Sequence, residues 1–265
     1  MDNTDNIVAI TDPGEVGRAE HTRGDRIVVH ISNLFAWIFP ILMVAICAQV
    51  VLRTAGFNQA WLDDFQWWLY GAAVLIGIGY AVTTNSHVRV DIRYENFTPE
   101  KKLRTDIMAL AWLFLPFVIL SWDVTLSYAI ISIASDEGSD SPNGLHNLWI
   151  LKTFMNVSFL FIAFATWTAY VRTLAKLIEP LWWRKLFWAL PSTMFVINLI
   201  IYYAVWWAIY LTSPEGTTTR DVGRHWVFDE IEVGNYDIKY TIIATVLATA
   251  VVIGVARLLA RPSKA

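Results

Sequence analysis

The sequence predicts an all-α membrane protein with six transmembrane helices and with both termini in the cytoplasm. Of its 265 residues 56% are hydrophobic and only 16% are charged, whereas a soluble domain carries about a quarter charged residues. The apolar residues fall into six runs of helical length, and Lys and Arg gather in alternate links between the runs. Composition, run length and charge placement therefore indicate the same fold class.

Each apolar run is long enough, with its flanking residues, to cross a hydrocarbon core, which takes about 20 residues of helix. The six runs have similar lengths and are separated by polar links, so each is assigned to one crossing. The predicted spans are 27–52, 67–82, 107–133, 148–174, 186–211 and 240–259.

The orientation follows from Lys and Arg, which stay on the cytoplasmic side of short loops during insertion. Fifteen of the twenty basic residues lie before the first span, between the second and third, around the turn between the fourth and fifth, or near the end of the chain. The link at 134–147 has no basic residue and carries Asp136, Glu137 and Asp140. Both termini are therefore predicted to be cytoplasmic.

The links have different compositions. Residues 1–25 form a polar cytoplasmic tail without the apolar core of a secretory signal. Thr98 and Pro99 predict a short helix in one cytoplasmic link, because the hydroxyl caps free amides and proline fits a first turn. The aromatic and basic stretch at 181–185 predicts a second short segment at the cytoplasmic interface. The single cysteine, Cys47, excludes a disulfide within the chain.

Asp123 and Lys152 are charged and fall inside predicted spans, where each calls for a partner. Asp123 lies in the outer half of the third span, and Lys152 enters the fourth span from the same side. We predict that they pair, with Asn156 one turn deeper as a further hydrogen-bond donor. Such a pair has two interpretations. It either has a structural role and fixes the register of the two helices, or it has a functional role in coupling transport to an ion.

The second span carries two further features. Asp63 and Asp64 lie at its start, where the helix dipole favours negative charge. Ala73, Gly77 and Ala81 recur every four residues, and small residues at this spacing allow another backbone to approach closely in lipid. These residues predict a packing face, whose partner is either another span or another protein.

The same region resembles the small membrane subunit of tripartite ATP-independent periplasmic (TRAP) transporters. In that family a tryptophan with acids precedes a Gly-Ala-Ala stretch and a His-hydrophobic-x-Val-Asp ending, and Ser141-Pro142 with Trp149 resembles the entrance to its fourth helix. The resemblance covers roughly residues 27–177, and the fifth and sixth spans are additional to the family's four-helix form. The residues that carry it are Trp61-Leu62-Asp63-Asp64, Trp68-Leu69-Tyr70-Gly71-Ala72-Ala73, Gly79-Tyr80-Ala81 and His87-Val88-Arg89-Val90-Asp91.

The resemblance implies a multi-pass protein of the bacterial inner membrane that braces a large permease subunit. Its partners would be that permease, a periplasmic solute-binding protein and the lipid bilayer, with no nucleic acid and no cofactor. The complex would take up organic acids, with the transport sites in the large subunit. Residues 26–178 would form the small-permease region, and residues 179–265 would add two helices and an acidic periplasmic loop.

Some interpretations stay open. His87, Arg89 and Asp91 either contact the partner subunit or form a self-satisfied turn in which Asp91 pairs with Arg89 or Arg93. The acidic link at 212–239 is either solvated or forms a small ordered cap around Trp226, Val227, Phe228 and Ile231.

The function also has alternatives. A structural accessory role in another membrane complex fits the same helices. Haem binding is disfavoured because no two histidines face each other within the spans. No His-Glu-x-x-His or Gly-x-Ser-x-Gly pattern occurs, so the sequence favours a subunit without catalytic activity.

Overall fold

The computed structural model describes residues 18–87, 92–214, 216–233 and 236–260. It confirms the all-α fold with six helical segments long and apolar enough to cross a membrane. Their bounds are Arg23–Thr54, Ala60–Thr84, Pro99–Ala134, Trp149–Ala175, Leu190–Thr212 and Tyr240–Leu259. We call the end of the bundle at Arg23, Thr84 and Leu259 the basic end, and the end at Thr54 and Trp149 the acidic end.

The first span consists of two helices, α1 (Arg23–Phe35) and α2 (Ile38–Thr54), joined by a turn at Ala36 and Trp37. The start of α1 is fixed by a capping box, in which the Thr22 hydroxyl accepts from the Asp25 amide and the Asp25 carboxylate accepts from the Thr22 amide. The predicted tail boundary at residue 25 therefore lies inside the folded region.

Helix α3 (Ala60–Thr84) is the second span, and it ends where Asn85 adopts a left-handed conformation with φ 55°. Helix α4 (Pro99–Met108) begins as predicted, with the Thr98 hydroxyl accepting from the Lys101 amide. It does not end at the interface. It continues through a π-helical segment, Ala109–Phe114, into α5 (Leu115–Ala134), so the third span is one long rod.

Proline explains the π-helical segment. Pro116 has no backbone N–H, and in a regular helix its ring would collide with the carbonyl four residues earlier. The wider turn avoids this collision, and the Leu115 amide donates to Leu110 rather than to Ala111. The Ala111 carbonyl therefore has no backbone donor. The Leu115 amide, which would donate to it in an α-helix, donates to Leu110 instead, and Pro116, which would donate to it in a π-helix, has no N–H.

Helix α6 (Trp149–Ala175) is the centre of the molecule, and it packs against α1, α3, α4 and α5. Toward the basic end its Tyr170 and Leu174 form the main apolar core with Ile107 and Ala111 of the third span and with Ala189. These residues are almost fully inaccessible, so this is where the fourth span is held most firmly.

The chain after residue 178 folds against the third span. Helix α7 (Trp182–Trp188) lies before α8 (Leu190–Thr212), and Ala189 separates them. The fifth span thus begins at Leu190, four residues later than predicted, because Leu186 belongs to α7. Helix α8 packs on α5 and on α10 (Tyr240–Leu259), so the bundle runs from α2 through α3, α6, α5 and α8 to α10.

The link between α8 and α10 contains ordered elements. Helix α9 (Thr219–Gly223) and a 3-10 turn (Trp226–Phe228) precede an antiparallel hairpin of β1 (Glu230–Val233) and β2 (Tyr236–Lys239), in which Ile231 pairs with Ile238. The Phe228 ring lies 5.2 Å from that of Tyr202, near the middle of α8. Of the two interpretations of this link, the structure supports the ordered cap.

Candidate interaction surfaces and the polar contacts that shape them

Asp63 is part of a polar cluster between α2 and α3 near the acidic end. Its carboxylate accepts hydrogen bonds from Gln49 and, at 3.4 Å, from Arg53 of α2, and Gln66 donates to Gln49 one turn deeper. Gln49 is buried, whereas the side chains of Arg53 and Asp63 are 65% and 43% exposed. The cluster joins the two helices and still leaves an ion pair on the surface.

Asp64 has a different role. Its Oδ2 accepts a hydrogen bond of 2.9 Å from the Leu145 amide in the link before α6. Gly144 makes this approach feasible, because a Cβ there would lie 2.6 Å from the same carboxylate oxygen. Asp64 therefore holds the 135–148 link against the start of α3.

The small residues of α3 divide between two surroundings. Ala73 is buried and Ala81 is half-buried, whereas Gly77 is exposed and a Cβ added there would contact nothing within 4 Å. Gly79, two positions from the nearest members of the predicted series, packs directly on the Phe161 ring of α6. Within α3, Gly79 thus permits close packing on α6, and Gly77 lines an open groove of about 360 Å³ beside the break in the first span.

His87 lies at the basic end, just after α3. It lines a cavity of about 320 Å³ together with Tyr94, Asp106 and Arg172, and the Tyr94 hydroxyl donates to Asp106 at 2.8 Å. The other two members of the predicted contact, Arg89 and Asp91, lie outside the described residues.

The predicted pairing of Lys152 is corrected by the structure. Lys152 is buried and forms an ion pair with Glu137 of the preceding link, and its ammonium lies 3.8 Å from the centre of the Tyr128 ring. The hydrogen bond from Lys152 lowers the pKa of Glu137 below its usual 4.5. The lysine reaches back toward the interface, where the carboxylate is partly hydrated, rather than deeper into the bundle.

Asp123 has another partner. The Tyr203 hydroxyl of α8 donates to its Oδ1 over 2.5 Å, so the carboxylate faces the fifth span instead of the fourth. Asn156 does not extend an Asp123 network either. It donates to the Trp122 carbonyl at 2.9 Å and to the Thr125 hydroxyl at 3.0 Å.

One strongly buried ion pair was not predicted from the sequence. Asp25 of α1 is fully buried and lies 2.9 Å from Nη1 of Arg172 near the end of α6, and Nη2 of that arginine donates to the Thr83 carbonyl of α3 at 2.7 Å. Three helices thus meet at one guanidinium. The Thr22-x-x-Asp25 capping pattern was the available signal, because it marks a helix start within the supposed tail.

The residues just before α1 join the same region. His21 is only 8% exposed, and burial, reinforced by the charge of Arg172, lowers its pKa below the usual 6.5. Glu20 pairs with Lys176 beyond the end of α6, and this contact lowers the pKa of the Glu20 carboxyl. Residues 20–25 therefore cover the basic end of the first four spans, which we call the four-helix body.

Hydrogen bonds at the start and near the middle of α8 attach it to that body. At the basic end the Ser192 hydroxyl donates to the Ala111 carbonyl over 2.5 Å and so satisfies the group that Pro116 leaves without a donor. Nearby, Trp112 donates to the Trp188 carbonyl at 2.8 Å and Tyr170 to the Lys185 carbonyl at 2.7 Å. At greater depth the Tyr203–Asp123 bond completes the attachment.

These contacts describe a multi-pass helical membrane protein whose polar side chains link helices to one another. Among the residues for which a structure is given, no group of three or more His, Cys, Asp or Glu is placed to hold a metal ion. The class defined by the fold is therefore a polytopic membrane protein.

A family model narrows this class. The model described as tripartite ATP-independent periplasmic transporters, DctQ component, matches residues 42–178, which is more than half of the chain. The chain belongs to this family, as its sequence resemblance predicted. No curated protein and no solved structure matches it.

Proposed function

We propose that the chain is the non-catalytic small permease subunit of a TRAP transporter in the bacterial inner membrane. It would brace a large permease subunit during uptake of organic acids delivered by a periplasmic solute-binding protein. The family match over residues 42–178 carries this proposal. Both termini, and with them the basic end, are assigned to the cytoplasm by the positive-inside rule.

The surface that we assign to the large subunit lies on α2 and α3, whose residues from 42 onward fall inside the matched region. Helix α2 packs mainly on α3, which leaves most of its apolar surface uncovered by this chain. Beside it, Gly77 opens onto the groove that Ala73 and Phe39 also line. A second helix could approach closely there, since glycine and alanine present little side chain.

Polar residues would supplement this surface at each end. The exposed Arg53–Asp63 pair lies on the same two helices at the acidic end, where it lines a separate cavity, and Asp64 and Ala81 also belong to α3. We retain from the sequence the proposal that His87, Arg89 and Asp91 contact the large subunit. Residues 26–178 would then serve as the bracing region, and residues 179–265 would extend it on the side facing away from the permease.

Co-purification in mild detergent tests this assignment. The variant Gly77→Leu fills the open groove and is expected to lower the amount of large permease recovered with the tagged chain. Gly254→Leu is the matched control, because Gly254 is also an exposed helical glycine without neighbours within 4 Å, on α10 at the far side of the bundle. Equal recovery with both variants would contradict the assigned surface.

Uptake tests the function itself. Proteoliposomes that contain the large permease and the binding protein should take up an organic acid from a panel only when this chain is also present. Recovery of an unrelated membrane complex with the tagged chain, and uptake independent of it, would favour a structural accessory role instead. Replacement of His87 and Asp91 together should reduce assembly if they contact the partner.

A further inference from the structure

An apolar cavity lies between the four-helix body and the added helices. Its volume is about 610 Å³, and its walls come from α5, α6, α8 and α10. Trp122 and Ala163 line the body side, and Ile200 and Val252 line the other side. The helices touch at Ser192 and again at Tyr203, so the cavity is the space left between the two attachments of α8.

The length of this cavity matches one leaflet of a bilayer. Eleven residues separate Ser192 from Tyr203, which corresponds to about 16 Å along a helix. A hydrocarbon core is about 30 Å thick, so one leaflet contributes about 15 Å. The cavity begins near the basic end, beside α7, and reaches roughly the middle of the membrane.

Basic and aromatic side chains lie on α7 and near the end of α10, next to the end of the cavity that Leu186 lines. Leu186 lines the cavity, and its carbonyl accepts a hydrogen bond from Thr193 at the start of α8. The adjacent Lys185 lies over the Trp182 ring at 4.6 Å, and the Arg257 guanidinium of α10 lies 5.4 Å from the Trp183 ring. The same interface therefore offers positive charge next to an apolar cavity.

The charge in this cluster is largely uncompensated. Arg184 already contacts Glu179, with 3.9 Å between Nη1 and Oε2. Within the described part of the chain, Lys185 and Arg257 have no ion pair within 4.0 Å. Basic side chains near a membrane surface attract anionic headgroups, and tryptophan rings hold such a segment at headgroup depth.

From these observations we infer that the cavity is a binding site for an anionic phospholipid. One acyl chain occupies the cavity between α5, α6 and α8, and the phosphate contacts Lys185 and Arg257. The lipid fills the space between the body and the added helices. The inference needs only the membrane-spanning fold, and it stands independently of the transport role.

The experiment measures lipid on the purified chain. Native mass spectrometry of the full chain in mild detergent should detect one retained phospholipid, and titration should favour phosphatidylglycerol over phosphatidylcholine. The double variant Lys185→Gln/Arg257→Gln removes both headgroup contacts and should weaken phosphatidylglycerol binding by about tenfold or more. Ala163→Phe fills the cavity from α6 and should abolish retention.

Matched controls separate a specific site from ordinary surrounding lipid. Lys101→Gln/Lys102→Gln removes two charges that also lie over aromatic rings at the basic end, those of Phe97 and Tyr94, away from the cavity. Val124→Phe places the same phenyl side chain on the exposed face of α5, outside the cavity. Both controls should bind phosphatidylglycerol like the parent chain.

Three results would overturn the inference. They are equal binding of phosphatidylcholine and phosphatidylglycerol, equal losses in the control and test pairs, and purification with detergent alone and no phospholipid. Size-exclusion profiles verify that each variant is folded, and the two test variants act at opposite ends of the ligand, so the misfolding of one leaves the other informative.

Discussion

Tyr203 donates a hydrogen bond to Asp123 across the boundary between the family-matched body and the added helices. The oxygen atoms lie 2.5 Å apart, and both residues are within membrane spans. A carboxylate at this depth is costly unless it is paired, so the bond joins α5 to α8 at a position where slippage would expose a charge to lipid.

Replacement of Tyr203 by Phe should therefore destabilise the protein. The loss is expected to be about 1.5–3 kcal/mol, the range for a hydrogen bond to a charged group. Thermal unfolding in detergent is the measurement. Tyr202→Phe is the control, because this neighbouring ring keeps its packing against Phe228 and should change stability little. Equal melting temperatures for the two variants would contradict the role of the bond.

The Asp25–Arg172 pair predicts a larger effect. Arg172→Met leaves the fully buried Asp25 carboxylate without its cation and the Thr83 carbonyl without its donor. Breaking a buried pair from one side costs about 3–5 kcal/mol. Denaturant unfolding measures this loss. Arg26→Gln removes an exposed charge from the same helix as Asp25, and it should cost less than about 0.5 kcal/mol.

Two glycines of α3 predict opposite outcomes. A Cβ at Gly79 would lie 2.5 Å from Cε1 of Phe161, so Gly79→Ala should force α3 and α6 apart and cost about 1–3 kcal/mol. Gly71 has open space around it, and Gly71→Ala should be neutral or stabilising, since alanine is the better helix former. Similar melting temperatures for the two variants would contradict this prediction, because they would show that the Phe161 ring moves aside without a loss of stability.

His21 predicts a dependence on pH. Because burial lowers its folded-state pKa below 6.5, the unfolded chain takes up the proton first as the pH falls. The stability present above 6.5 should be lost progressively as the pH falls through the lowered pKa. Melting curves across about pH 5 to 8 measure this loss. His21→Gln should flatten the dependence in that window, and an unchanged slope would contradict the assignment.

The sequence was sufficient for the number of spans and for most of their bounds, because hydrophobic run length decides whether a helix crosses a bilayer. It was not sufficient for the partners of polar residues. The sequence correctly predicted that Asp123 and Lys152 have partners. It could not identify Tyr203 and Glu137 as those partners, because that depends on how each helix is rotated about its axis. The capping pattern at Thr22 and Asp25 marks a helix start, but no local pattern identifies the distant Arg172 as the partner of Asp25.

The π-helical segment in the third span has a consequence for biosynthesis. The hydroxyl that donates a hydrogen bond to the Ala111 carbonyl belongs to Ser192, 81 residues later in the chain. A ribosome that has released only the first four spans has therefore produced a bundle with an incomplete backbone, and a missing backbone partner in lipid costs several kcal/mol. Maturation must wait for α8 to insert. A chain that ends before α8 would keep an unpaired backbone carbonyl within the membrane, a local defect that membrane proteases can recognise.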